Sequence, residues 1–316
     1  MRIALVASSN GLGHARRLLN LIPGVHNGTH RILLFMSNSQ AEFLKDESRV
    51  IYQKYPFEIV IIGQYGIDGF HIRNYKYIED APEEIISLLS KSDLVLSDNS
   101  IWPAQFTDNF YLYGHFNWID YYTMSSNEEI TAREFREKFD EEKALLAKCR
   151  TWFLIKEFSL ESKYRIETVE VPLPRYIGDN GTERPRGKEI WIANGTTGMN
   201  ISTNIASTFN SIKLVKMESW KIHHVNVMPA LVAGRPGLGT IRDCLATSTC
   251  FYSAWSGHDV ELQSNVRHLD RVGLRVNLAN YPNNSFQEHS LKVKEYWKNK
   301  SASPREMADF VFSKVV

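Results

Sequence analysis

The chain has 316 residues, 37 of them basic and 36 acidic, so its net charge is +1 and no bulk positive field is available to bind nucleic acid. With 43% hydrophobic and 23% charged residues it has the composition of a globular protein, and its length suits about two domains. No apolar run approaches the roughly 20 residues that span a bilayer.

Short, nearly continuous apolar runs recur through the N-terminal half. They predict strands at Ile3–Ala7, Ile32–Met36, Ile59–Ile62, Leu94–Leu96, Phe110–Tyr113 and Trp152–Ile155. Helices are predicted between them at Gly13–Leu21, Ser39–Lys45, Pro82–Ser90 and Glu128–Lys148. Such strands are typical of a parallel sheet buried on both faces, and the alternation predicts βαβ units. We interpret the opening apolar run as the first strand rather than a signal peptide, because a turn follows it at once.

The composition changes at Val171–Gly187, which holds three prolines and three glycines. This change predicts an N-terminal domain over residues 1–172, a linker over 173–187 and a second domain over 188–302. The second domain begins with a predicted strand, Glu189–Ala193, and a helix, Ser202–Ser211. Residues 303–316 begin Ser-Pro-Arg-Glu, a helix-start pattern, and this last helix could pack back on the first domain.

A glycine turn directly follows the first strand and opens a helix. It contains Gly11, Gly13 and His14, but Arg16 takes the third glycine position of a dinucleotide fingerprint, so no nicotinamide or flavin enzyme is predicted. The positive end of the helix dipole disfavours the imidazolium form of His14, and a neutral imidazole can accept a proton from a hydroxyl. A tight turn with a structural histidine is the alternative.

Two further glycine turns open helices in the second half of the chain, and a polar run follows the second of them. Their backbone N–H groups suit a phosphate anion, although the lysine of a P-loop is absent. Asp243 lies one helical turn after the second of these glycine turns and is placed to accept hydrogen bonds from ribose hydroxyls. The polar run could hydrogen-bond the hydroxyls of the sugar. The predicted ligand contacts are Asn194, Gly195, Thr196, Thr197, Gly198, Gly237, Leu238, Gly239, Thr240, Asp243, Glu261, Gln263 and Asn265.

Four motifs together resemble those of GT-B glycosyltransferases. They are Asn-Gly-Leu-Gly-His at 10–14, Asn-Gly-Thr-Thr-Gly at 194–198, Gly-Leu-Gly-Thr-Ile-Arg-Asp at 237–243 and Glu-Leu-Gln-Ser-Asn at 261–265. The resemblance is to the group that contains the lipid-II-forming N-acetylglucosaminyltransferase and related nucleotide-sugar hydrolases. It implies an α/β protein with two Rossmann-like domains facing a central cleft, the acceptor in the N-terminal domain and the nucleotide donor in the C-terminal one.

The resemblance also implies roles and partners. His14 would be the general base, and Gly11 and Gly13 would join the donor-binding residues. The donor would be a UDP-sugar and the acceptor a glycan or lipid-linked sugar of cell-envelope polysaccharide synthesis. No metal or cofactor is implied, because helix termini and backbone N–H groups hold the diphosphate. A cytoplasmic location is expected, with peripheral association at the inner membrane face left open.

Polar and aromatic residues near the ends of the fourth and fifth predicted strands are candidates for acceptor contacts. Aromatic faces suit sugar rings, whereas the alternative is that these residues belong to the core or cap loops. The candidates are Asp98, Asn99, Trp102, Trp118 and Asp120.

Three other functions stay open on the sequence. One is a nucleotide-sugar hydrolase in which His14 activates water, and another is a non-hydrolysing epimerase of the same architecture. The third is a non-catalytic protein that binds a nucleotide or a glycan.

The cysteines Cys149, Cys244 and Cys250 lack the spacing of a zinc site or a disulfide framework. We expect them to be buried free thiols in a reducing compartment.

Overall fold

The computed structural model describes residues 1–68, 76–125, 133–160, 162–176, 185–193, 214–216, 222, 225–255, 257–276 and 286–315. The chain forms two compact units. Unit 1 comprises Met1–Tyr176 and Ala302–Val316, and unit 2 comprises Ile177–Ser301. Within the described ranges, no helix is both long and apolar enough to cross a membrane.

Unit 1 is built on a parallel sheet flanked by helices. Its strands are β1 (Arg2–Ala7), β2 (Arg31–Met36), β3 (Glu58–Ile61), β4 (Leu94–Asp98), β5 (Phe110–Gly114), β6 (Trp152–Ile155), β7 (Thr168–Val171) and β8 (Leu173–Pro174). Its first helices are α1 (Leu12–Leu19), α2 (Ile22–Val25), α3 (Asn38–Phe43), α4 (Lys45–Tyr52), α5 (Glu83–Ser90), α6 (Trp118–Met124) and α7 (Arg133–Leu145).

The strand order locates the edge of unit 1 where ligands are expected. Among the described residues, the order is β3-β2-β1-β4-β5-β6-β7, and every neighbouring pair is parallel. The strands β4 and β5 are buried along their whole length, which explains their continuous apolar sequences. The order reverses between β1 and β4, and open α/β sheets bind ligands outside the carboxyl ends of such a strand pair.

The predicted strands of unit 1 are confirmed to within two residues at each end, but two predicted helices differ. The helix predicted at Ser39–Lys45 ends at Phe43, and a separate α4 follows. A capping box at Ser37 starts α3, whereas acidic residues in the first turn of α4 favour a new start there. The helix predicted at Glu128–Lys148 is described only from Arg133 onward, and its last residues form a 3-10 turn.

Unit 2 has a second parallel sheet. Its strands are β9 (Ile190–Ala193), β10 (Leu214–Lys216), β11 (Leu231–Gly234) and β12 (Cys250–Ser253), and its helices are α8 (Leu238–Ala246), α9 (Val260–Arg271) and α10 (Phe286–Lys300). The described strands pair in the order β10-β9-β11-β12, all parallel. The order reverses between β9 and β11, so the turns after these two strands occupy the expected ligand edge. The helix predicted at Ser202–Ser211 lies outside the described residues.

The C-terminal segment returns to unit 1. Strand β13 (Ser301–Ala302) pairs with β8, and α11 (Pro304–Phe312) packs on α2. A Cβ added to Gly24 of α2 would lie 2.4 Å from the Pro304 carbonyl oxygen, so only glycine allows this close approach. The linker prediction is therefore corrected at its start, because the first two residues of 173–187 form β8. Local composition cannot reveal a pairing partner so distant in sequence.

The cysteines are free thiols, two of them buried and Cys149 half-buried. Burial raises the pKa of Cys149 and of Cys250 to about 12. These two groups therefore stay protonated near neutral pH and are poor nucleophiles.

Candidate active site

His14 lies at the ligand edge of unit 1, in the first turn of α1. The turn before it needs glycine, because Gly11 has a φ of 82° and directly precedes the helix. His14 is buried, with 8% of its surface exposed. Its Nδ1 lies 2.9 Å from Oδ1 of Asp98, the last residue of β4. The register pairs Asp98 with Ala7, the last residue of β1, so the dyad sits where the strand order reverses.

Asp98 is completely buried and is bound by a second side chain of α1. Arg17 donates from Nε to Oδ2 at 2.8 Å and from Nη2 to Oδ1 at 2.7 Å. Burial alone would raise the pKa of Asp98, but the charge and hydrogen bonds of Arg17, together with His14, hold it below its usual value. Asp98 is therefore an ionised carboxylate at neutral pH. Both of its oxygens bind partners inside unit 1, and its contact with an acceptor stays a prediction.

Asn99 also belongs behind the dyad rather than at an acceptor surface. It is buried with a φ of 66°, which turns the chain sharply after β4. With its amide nitrogen toward Asp98, it donates to Oδ1 at 3.2 Å and to the Phe116 carbonyl at 2.7 Å. Gly114 of β5 makes room for it, because a Cβ there would overlap the Asn99 carboxamide and lie 3.1 Å from Asp98 Oδ1. The acceptor contact of Asn99 stays a prediction.

The His14–Asp98 contact determines which imidazole nitrogen can accept a proton. An ionised carboxylate only accepts hydrogen bonds, so we assign the ring proton to Nδ1, where it is donated to Asp98. That tautomer leaves the lone pair on Nε2, the nitrogen that a general base uses. The rings of Phe116 and Trp118, each 6.4 Å from the His14 ring, restrict its rotation.

Asp68, which the sequence analysis missed, holds the start of the glycine turn. It accepts a bond from the Ser8 hydroxyl, and it accepts from the Ser9 N–H at 2.8 Å and the Ser100 hydroxyl at 2.9 Å. From the opposite side, buried Gln40 of α3 donates to the carbonyls of Ser8 and Gly11, at 2.8 and 2.6 Å. These bonds order the turn before any ligand arrives, and no local pattern links their partners.

The remaining residues predicted to contact an acceptor are buried in unit 1. Trp102 is 1% exposed and packs against Tyr65, with ring centroids 5.2 Å apart. Trp118 is fully buried and donates from Nε1 to Ser8 at 3.1 Å. Asp120 is buried as well and accepts from the backbone N–H of Lys163 at 3.2 Å. The structure places Trp102, Trp118 and Asp120 in the core and at the strand ends of unit 1, and their contact with an acceptor stays a prediction.

A helix N-terminus lies at the ligand edge of unit 2. Gly237 precedes α8, and no described side chain caps the N–H groups of the first turn, formed by Leu238, Gly239 and Thr240. A Cβ on Gly237 or Gly239 would meet no atom of the described residues within 4 Å, so these residues leave the space in front of the turn open. The next helix differs, because Asp259 accepts a bond from the N–H of Leu262 and caps α9. An anion is thus expected at α8 rather than at α9.

Asp243 lies in α8, one helical turn after the glycine turn, as predicted. It is 3% exposed and forms an ion pair with buried Arg242 at 3.0 Å. Its contact with ribose hydroxyls stays a prediction. Sequence spacing places the residue one turn into the helix but does not say which face of the helix is buried.

The polar run on α9 is brought to the same edge as the open N-terminus of α8. Asn265 is fully buried and donates from Nδ2 to the Pro236 carbonyl at 2.9 Å, which fixes the turn before α8. Gln263 is half-buried and donates to the Gly257 carbonyl at 3.1 Å, and Glu261 is buried at the start of the helix. The run therefore supports the turn, and the three residues stay candidates for contact with a sugar.

Part of the predicted site is not described. Asn194, Gly195, Thr196, Thr197 and Gly198 follow β9 in sequence and lie outside the described residues. In the ranges that the structure covers, no cluster of three or more His, Cys, Asp or Glu side chains is arranged to hold a metal ion.

Sequence comparison finds no matching protein-family model and no matching curated protein. Comparison of the structure finds matches along the whole chain. The glycotransferase of kitacinnamycin matches with a TM-score of 0.62 at 12% identity, over 100% of this chain and 99% of that chain. UGT2 of Phytolacca americana, complexed with UDP-2fluoro-glucose and pterostilbene, matches with a TM-score of 0.62 at 10% identity, over 99% of both chains.

The glycosyltransferase SsfS6 of Streptomyces sp. SF2575, complexed with thymidine diphosphate, matches with a TM-score of 0.54 at 13% identity, over 99% of both chains. At sequence identities this low, the structural similarity shows the fold but not the substrates or the residue roles. The chain is an α/β protein with the GT-B fold.

Proposed function

We propose that this protein is a glycosyltransferase that moves a sugar from a nucleotide donor to a hydroxyl acceptor, with His14 as general base. One observation carries the proposal: a histidine in a glycine turn at the ligand edge of unit 1 has its Nδ1 held by the buried carboxylate of Asp98 at 2.9 Å. A histidine with a purely structural role does not need a buried, ionised carboxylate as its partner. A general base needs such a partner, because the carboxylate fixes one tautomer of the ring.

The proposed reaction uses the free nitrogen of His14. Nε2 takes the proton of the acceptor hydroxyl as the oxygen attacks the anomeric carbon of the sugar. The bond between that carbon and the diphosphate oxygen breaks, and its electron pair leaves with the nucleoside diphosphate. Asp98 accepts the Nδ1 hydrogen of His14 and so keeps the ring in the tautomer and orientation that proton removal by Nε2 needs.

The donor diphosphate is proposed to bind at the N-terminus of α8, with residues 194–198, which the structure does not describe, as a second contact. The open N–H groups and the helix dipole favour negative charge at this position, and they would stabilise the leaving group without a divalent cation. Neighbours of the same fold that were solved with UDP-2fluoro-glucose or thymidine diphosphate support a nucleotide donor. Gly11 and Gly13 of unit 1 are proposed to border the donor as well.

The finer identity of the substrates rests on the motif resemblance. It favours a UDP-linked donor and, as acceptor, a glycan or a lipid-linked sugar of the cell envelope, made on the cytoplasmic side of the membrane. The group with the lipid-II-forming enzyme is the proposed relative within the fold.

A turnover assay tests the proposal. Purified protein is incubated with UDP-sugars in EDTA, with and without a panel of glycan and lipid-linked acceptors. We expect slow release of free sugar alone and much faster formation of a glycosylated product when the right acceptor is present. Full-speed release of sugar with water as the only acceptor would instead identify a hydrolase. The predicted acceptor residues are buried, so hydrolysis is the alternative that this assay must distinguish from transfer.

A charge placed at the open turn of α8 tests the donor site separately. Gly239→Asp puts a carboxylate at the second position of the helix, where negative charge favours the helix itself but repels a diphosphate. We expect UDP affinity, measured by calorimetry, to fall at least about tenfold, which is about 1.4 kcal/mol. The melting temperature of the free protein should not fall.

Gly239→Asn is the matched control, because it has nearly the same shape without the charge. Its UDP affinity should stay close to that of the wild type. Equal affinities for the Asp and Asn variants would place the diphosphate elsewhere.

A further inference from the structure

His14 and Arg17 stand one helical turn apart on the same face of α1, and both reach the carboxylate of Asp98. Arg17 occupies both oxygens of that carboxylate, at 2.7 and 2.8 Å, and its side chain is 5% exposed. Its Nη2 also lies 2.9 Å from Nδ1 of His14, and with the ring proton on Nδ1 both nitrogens are donors that share Oδ1 of Asp98 as acceptor. Arg17 therefore contacts both members of the dyad, and the proposed chemistry does not yet use it.

The charges around the dyad determine how readily His14 takes a proton. An unpaired buried carboxylate beside an imidazole would favour the imidazolium strongly. Here the carboxylate is already paired with a guanidinium, and a proton on His14 would bring a second positive charge next to Arg17. The pair disfavours protonation of His14 in two ways. Arg17 neutralises the charge of Asp98 that would attract the imidazolium, and its own charge repels the imidazolium.

Among the described residues, no other charge in direct contact with this pair offsets Arg17. The ionisable groups that act on Arg17 and Asp98, besides each other and His14, are the phenols of Tyr113 on β5 and Tyr176 after β8. Burial raises the pKa of Tyr113, so its phenol is neutral. On the same helix, Arg16 is paired with Glu47 of α4 at 2.9 Å.

We propose that Arg17 is a positioning residue that keeps His14 neutral, and therefore able to accept a proton, at neutral pH by pairing with Asp98 and opposing the imidazolium form. The consequence for catalysis rests on the proposed function, whereas the effect on the protonation of His14 does not.

The experiment measures the protonation of His14 directly. Protein labelled with ¹⁵N-histidine is titrated by NMR, and the His14 signals are assigned by their loss in His14→Asn. In Arg17→Met, which keeps the length of the side chain but not its charge, the midpoint of the His14 titration should move to higher pH. In Arg17→Lys, which keeps the charge, it should stay closer to the wild-type midpoint. An unchanged midpoint in Arg17→Met would overturn the proposal.

A double variant covers the case in which Arg17→Met does not fold because it leaves Asp98 unpaired. Arg17→Met/Asp98→Asn is compared with Asp98→Asn, which keeps the Arg17 charge, and the His14 midpoint should lie at higher pH in the double variant. Equal midpoints in these two variants would show that Arg17 does not act on His14, which contradicts the proposal.

The pH dependence of turnover links this result to function. The acidic limb of the kcat profile should move to higher pH in Arg17→Met, with activity lost at neutral pH and regained at higher pH. A loss by the same factor at every pH would mean that Arg17 only supports the structure. If the wild type shows no sugar transfer at all, the proposed function fails, yet the NMR titration still decides the role of Arg17.

Discussion

His14→Ala should lower kcat roughly 10²- to 10⁴-fold, the range that a general base contributes to a transition state. The affinity for UDP should be unchanged, because the proposed donor site is the N-terminus of α8 in the other unit. Turnover is followed as product formation at saturating donor and acceptor, and UDP binding by calorimetry.

His26→Ala is the matched control for this variant. His26 belongs to the same unit, and its ring contacts Tyr55 rather than a carboxylate. Its loss should leave kcat near the wild-type value. A His14→Ala enzyme that retains near-normal turnover would remove the base assignment and leave a binding protein, or a different catalytic group, as the better description.

Asp98→Asn should damage both activity and stability. An amide in place of the carboxylate no longer enforces the Nδ1–H tautomer of His14, so we expect kcat to fall by roughly 10²–10⁴-fold. It also leaves the Arg17 guanidinium buried without its counter-charge, which should cost about 3–5 kcal/mol of unfolding free energy. Turnover and chemical denaturation measure the two effects separately.

Two comparisons give this second prediction its control. Asp93, just before β4, is exposed and accepts from the Arg2 N–H at 2.7 Å, so Asp93→Asn should change stability by less than about 0.5 kcal/mol. Removing both buried charges in Arg17→Met/Asp98→Asn should restore part of the lost stability without restoring turnover. If Asp98→Asn is as stable as Asp93→Asn, the ion pair between Arg17 and Asp98 does not stabilise the fold.

The sequence by itself predicts most of the sheet of unit 1 and the place of His14. Strands such as β1 and β5 are buried on both faces, so their apolar runs are continuous and their bounds are legible without a structure. A glycine turn between a strand and a helix is equally local, because the positive φ of Gly11 and the start of α1 are properties of adjacent residues. Features such as strand bounds and turns depend on residues that are adjacent in sequence, so the sequence alone predicts them.

Only the tertiary structure decides which side chains meet. Asp98 lies 84 residues from His14, and the parallel pairing of β1 with β4 brings the two into contact. Arg17 lies three residues after His14, but nothing in the sequence distinguishes it from a surface arginine, because the carboxylate that it pairs with is distant in the chain. The same limit applies to the burial of the predicted acceptor residues. Trp118 and its neighbours follow strand ends, as binding residues do, and the folded unit turns them inward, because burying aromatic rings in the core releases more free energy than leaving them at the edge.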